Sequence, residues 1–127
     1  MKKEKTKGGA LTLHAPMRKE QALEIINGKK VREYRTYNDF WAQRICVVER
    51  ADDGVLEATA IKPFKRIHFY PYNNSWSLTC EVKAIVLITV NQEFLDEFGS
   101  EVTAKVGDKI FVIRLGDIIE TTIDSDK

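Results

Sequence analysis

Apolar and polar residues alternate at a spacing of two along most of this chain, and in two stretches the spacing lengthens to three and four. Leu11 and Leu13 alternate with Thr12 and His14, which predicts a first strand over residues 11–13. Pro16 sits where a helix would start, a position that tolerates the missing N–H. Ala22, Leu23, Ile25 and Ile26 then recur at helical spacing, so a helix with one side on a core is predicted up to about Asn27. Gly28 suits the left-handed residue that closes such a helix. Residues 31–35 read as a strand, with Val31, Glu33 and Arg35 on one face and Arg32 and Tyr34 on the other. Lys30 falls at the corner between helix and strand, where alternation does not fix its direction.

Residues 36–41 are expected to be irregular or a single helical turn, with Phe40 and Trp41 read first as core residues. Ile45 to Val48 is a short apolar strand, Ala51-Asp52-Asp53-Gly54 a turn, and residues 55–61 the returning strand. Asp-Gly between two strand-like runs is a strong hairpin cue. In the next strand, Phe64, Arg66, His68 and Tyr70 share one face and Lys65, Ile67 and Phe69 the other. Residues 76–90 form a long β-favouring run whose length suggests a bend, as barrel strands need. Asn91 caps a short helix over residues 92–98, which Gly99 ends. After a turn at residues 106–109, strands over 110–115 and 118–120 close the chain, interrupted at Gly116-Asp117. This order predicts an α+β fold, a small β-barrel with a few flanking helices.

Composition changes that picture little. With 43% hydrophobic and 31% charged residues, the 127-residue chain reads as one soluble globular domain with a core of its own. Residues 10–123 are assigned to the domain, residues 1–9 to a flexible basic tail and residues 124–127 to a frayed end. No apolar run approaches the ~20 residues that span a bilayer. The basic residues at the start have no apolar stretch behind them of the kind a signal peptide needs. A cytoplasmic protein without a membrane partner is expected. Cys46 and Cys80, isolated in apparent strands, read as buried free thiols.

Charge changes it more. The net charge of +1 conceals a gradient: residues 1–35 hold ten basic and four acidic residues, and residues 91–127 hold four basic and nine acidic ones. A local basic patch in a near-neutral chain suits a nucleic-acid partner. Four lysines of that excess lie in the tail, where a solubilising extension accounts for them equally well.

The residues richest in chemistry lie together at the first helix–strand junction. The pattern Gly28-x-Lys30-x-x-Glu33-x-Arg35, after a helix ending Ile25-Ile26-Asn27, resembles the signature of the ASCH domain. That family belongs to the PUA-like superfamily, β-barrels with a few helices. Trp41 soon after the signature and the β-rich remainder extend the resemblance over roughly residues 11–120. The resemblance implies binding of RNA or of modified nucleosides and, in some members, hydrolysis. Hydrolases of the ASCH type use the signature lysine, here Lys30, but pair it with a Thr where this chain has Glu33.

On their own chemistry, Arg35 offers a planar five-donor fork and Lys30 a compact charge. Glu33 can hold Arg35 in a fixed pose or accept from a base amino group. The bland alternative is an exposed ion pair on a strand, worth at most ~1 kcal/mol. The stretch from Phe64 to Tyr70 interleaves aromatic and basic side chains, a mixture suited to single-stranded nucleic acid, where rings stack on bases and cations hold phosphates. Its bland alternative is a barrel strand with one solvated face. The candidate binding residues are therefore Gly28, Lys29, Lys30, Glu33, Arg35, Trp41, Arg66, His68 and Tyr70, with Lys30 and Glu33 the candidate catalytic pair.

No Cys-x-x-Cys, no His pair at helical spacing, no GxxxxGK[ST], no GxGxxG and no GxSxG is present, so no metal, cofactor or nucleophile elbow is predicted. The expected function is an RNA- or nucleotide-binding domain with a basic cleft beside the signature. The alternatives are a small hydrolase acting on RNA or a modified nucleoside, and a protein-interaction module whose acidic half meets a basic partner.

Overall fold

Residues 11–123 are described by a computed structural model. The tail expected over residues 1–9 and the frayed end expected over residues 124–127 lie outside the described residues. The elements run β1 (Thr12–Pro16), α1 (Lys19–Ile26), β2 (Arg32–Thr36), α2 (Asp39–Ile45), β3 (Cys46–Arg50), β4 (Leu56–Ile61), β5 (Arg66–Tyr70), β6 (Leu78–Thr89), α3 (Gln92–Phe98) and β7 (Lys109–Thr121). A 3-10 turn at Gly99–Glu101 follows α3. Five strands form a mixed sheet in the order β1-β5-β6-β7-β2, and β3 and β4 pair only with each other. β1 runs parallel to β5, and β5 antiparallel to β6. The α+β class read from the hydrophobic spacing is the class observed. Among the described residues no helix is long and apolar enough to cross a membrane.

The described chain divides into two compact units. The first comprises residues 11–32, 63–84 and 114–123. Its interior follows from strand alternation. Leu13 and Ala15 of β1 stand in register with Ile67 and Phe69 of β5, which stand in register with Cys80 and Leu78 of β6. All six are buried, and α1 adds Ala22 and Ile25. Each large side chain buried this way contributes ~1.5–3 kcal/mol. The facing expected for β5 is correct: Ile67 and Phe69 point in, Arg66 is exposed, and His68 and Tyr70 are half-buried.

Two boundaries in this unit differ from expectation. Pro16 ends β1 instead of opening the helix, and the next N–H, that of Met17, donates to the Tyr70 carbonyl at 2.9 Å. Pairing with β5 keeps this segment extended, and Pro is tolerated because β1 lies at the end of the sheet order. The helix starts only at Lys19. At the other end of the chain, β7 runs unbroken through Gly116 and Asp117. Glu81 of β6 explains the glycine. Its Oε1 accepts the Asp117 N–H at 3.0 Å, and a Cβ on Gly116 would come within 2.6 Å of that oxygen. Gly116 therefore permits a close approach inside a strand and does not terminate one.

The second unit comprises Glu33–Lys62 and Ile85–Ile113. Both of its helices are capped by asparagine. Asn38 accepts the Trp41 N–H at 2.9 Å to start α2, and Asn91 accepts the Phe94 N–H at 2.8 Å to start α3. The Asn91 cap and the span of α3 are as predicted. Gly99 is not: its φ of −59° is right-handed, and the chain tightens into the 3-10 turn. α2 is longer than the single turn expected. Trp41, Ala42 and Ile45 are buried at helical spacing, so Ile45 ends a helix and does not open β3. Val90, Ile110 and Val112 form a buried cluster with Tyr34, Phe94 and Leu95 packed against it. The predicted hairpin is present, with Gly54 in the left-handed region at φ +86°.

Candidate functional site

The first arm of the signature is set by the end of α1. Gly28 takes φ +78°, as its position predicted, and turns the chain back over the helix. The N–H groups of Lys29 and Lys30 both donate to the Glu24 carbonyl, at 2.9 and 3.1 Å. The backbone beneath the two lysines is thus fixed by the helix it leaves. Lys29 is exposed and Lys30 half-buried.

The second arm is β2. Glu33 is 4% exposed, and the Arg35 guanidinium donates to its carboxylate. The pair is not the exposed strand pair of the bland reading, since the side chains of Arg35 and Glu33 are 15% and 5% exposed. Charges this far from water interact strongly only when geometry and hydrogen bonds are good. Arg35 also packs on Trp41, its guanidinium carbon 4.9 Å from the ring centroid. Val31, expected on the same face, precedes the strand and is 51% exposed. Tyr34 projects to the other face, where its hydroxyl donates to Glu101 at 2.7 Å.

Helix α2 extends this group with two residues that sequence reading did not select. Phe40 meets Trp41 edge-on at 5.0 Å, and the Arg44 guanidinium lies 3.9 Å over the Phe40 ring. Phe40 is 50% exposed, a large ring facing water and not the core residue expected. The row Arg35, Trp41, Phe40, Arg44 is therefore a pair of touching rings with a cation packed at each end. Its signal in the sequence is the four-residue spacing of Phe40 and Arg44, which becomes informative only once residues 39–45 are known to be helical.

The other candidates lie on β5, in the first unit. Arg66 is exposed, in register with Glu81. His68 stacks on Tyr70, with centroids 5.5 Å apart and planes at 26°. It also meets His14 of β1, Nδ1 to Nδ1, at 3.0 Å. Burial and the His14 ring push the His68 pKa below its ordinary value, and Glu120 pulls the other way. His14 was not among the residues selected from sequence. The structure thus assembles Glu33, Arg35 and Trp41 within one unit and His14, His68 and Tyr70 within the other.

No family model, curated protein or solved structure matches this chain. Its chemistry has to be read from its own residues. An open groove of about 410 Å³ in the second unit is lined by Ile88, Thr89, Asn91, Glu93, Phe94 and Glu97. Its two carboxylates oppose a phosphate, and none of the signature residues lines it. Among the described residues, no group of three or more His, Cys, Asp or Glu is placed to hold a metal ion.

Cys46 and Cys80 are free and buried, as expected. Burial raises both thiol pKa values, that of Cys80 to about 11, while Lys62 opposes the shift at Cys46. Both are therefore held as thiols at pH 8, where the nucleophile is the thiolate. A small aromatic disulfide reagent should label neither in the native protein within minutes and both at once in guanidinium. Rapid native labelling of Cys80 would show that β6 is open to solvent.

Proposed function

We propose that this chain is an ASCH-like domain of PUA-like architecture that binds single-stranded RNA or a nucleotide-like ligand through its signature segment. The observation that carries this reading is the guanidinium of Arg35, fixed between the buried Glu33 carboxylate and the Trp41 ring and continued by the Phe40–Arg44 pair. A planar cation already held in place meets a phosphate or a base edge with little ordering cost. An exposed ring beside it offers a face to a base. Lys29 and Lys30 add charge at the start of the same segment, and Arg66, His68 and Tyr70 repeat the cation–ring mixture on β5. Glu33 is engaged as the acceptor for Arg35, which suits an orienting role better than the proton transfer a hydrolase would ask of it.

Fluorescence anisotropy with a short labelled RNA tests the proposal. With about three phosphates neutralised, the affinity should fall with a log–log salt slope of about −2. Lys30→Ala should make the slope shallower, whereas Phe40→Ala should weaken binding and leave the slope unchanged. Absence of binding, or a slope near zero in the unaltered protein, would reject a phosphate-binding role for the signature.

A further inference from the structure

The outer face of the β1–β5 pair sets His68, one of the candidate RNA-binding residues, against His14, a pairing that the RNA reading does not use. The two strands are parallel and in register at His14 and His68. The flanking residues Leu13, Ala15, Ile67 and Phe69 are buried, so alternation sends both imidazoles to the opposite face. There the two Nδ1 atoms stand 3.0 Å apart, with the rings nearly perpendicular at 83° and their centroids 5.2 Å apart. Stacking on Tyr70 restrains the His68 ring, while His14 is exposed and open to incoming ions.

That separation has a second meaning beyond a shared proton. Imidazole nitrogens bind zinc at about 2.0–2.1 Å. Two of them on one ion therefore lie about 2.9–3.4 Å apart, for bond angles from square to tetrahedral. The 3.0 Å spacing of the two Nδ1 atoms falls inside this range. Glu120, whose charge acts on His68, adds a negative field that favours a cation.

We propose that His14 and His68 form a two-ligand site for a divalent transition-metal ion of the imidazole-favouring class, zinc or copper(II). Water fills the remaining positions, because no third protein ligand stands with them among the described residues. Hard cations such as magnesium and calcium take oxygen ligands and do not compete for this pair. No local pattern marks the site, because the two ligands lie 54 residues apart and meet only through strand pairing.

The test uses the full chain, free of any histidine tag and stripped with chelator, in a buffer that does not bind metal. These are the only two histidines in the chain, which makes the titration specific. Calorimetry with zinc should show one ion per chain, and nitrogen NMR should show both Nδ1 resonances moving together as zinc is added. His14→Gln and His68→Gln should each weaken binding about tenfold or more. Magnesium should move nothing, and Cys46→Ser/Cys80→Ser should bind zinc as the unaltered chain does. Should a histidine variant fail to fold, the ring-nitrogen shifts of the unaltered protein decide alone. The proposal is overturned if saturating zinc leaves both Nδ1 resonances in place, or if folded single-histidine variants bind zinc as tightly as the parent.

Discussion

Phe69→Ala is expected to destabilise the fold by about 3–5 kcal/mol, a large part of the total stability of a domain this size. Phe69 is fully buried, and its register neighbours are the equally buried Ala15 on β1 and Leu78 on β6. Alanine at this position leaves a cavity that the Ala15 methyl group is too small to fill, so the lost transfer energy and the cavity cost add. A guanidinium melt should show a lower midpoint with an unchanged slope. Phe69→Leu, which keeps most of the volume, should cost clearly less. A cost below about 1 kcal/mol for the alanine variant would mean that the inward face of β5 is not core.

The second large effect is expected at Glu33. Glu33→Gln keeps the shape and removes the charge, leaving the Arg35 guanidinium without the Glu33 carboxylate in a largely dehydrated place. Removing one partner of a buried pair costs about 3–5 kcal/mol, and the partial exposure of Arg35 puts this case at the lower end. The double variant Glu33→Gln/Arg35→Met should recover much of the loss, because neither charge of this pair then remains to be solvated. Urea melts of the two single variants and the double variant close a cycle that isolates the pair. If Glu33→Gln is neutral, the carboxylate neither stabilises the fold nor positions Arg35, and the proposed binding role of the signature loses its basis.

How much of this was legible in the sequence depended on how local each cause was. α3 was readable to the residue because its cap, Asn91, is adjacent to it, and the hairpin was readable because Asp53-Gly54 encodes its own turn. α2 was not, since Ile45 continues both a helical stripe and an apolar strand run, and only burial on one side decides between them. Period-two spacing correctly paired Glu33 with Arg35, but alternation carries no information on depth, so the pair was not expected to be buried. Gly116 looked like a strand end because the Glu81 side chain that requires it lies on another strand. The histidine pair depends on a register between two distant segments, which no local pattern specifies.

That same register sets an order of events during synthesis. β1 is synthesised well before its partner β5, which ends at Tyr70. At about 5–20 residues per second, the 54 residues that separate His14 from His68 take about 3–11 s to add. For that interval the nascent chain carries Leu13 and Ala15 with no β5 to lie against, while α2 and the β3–β4 hairpin, whose partners are near neighbours, are free to form. β1 therefore docks only after β5 has been added, and closing this long loop is a candidate for the slow step of folding.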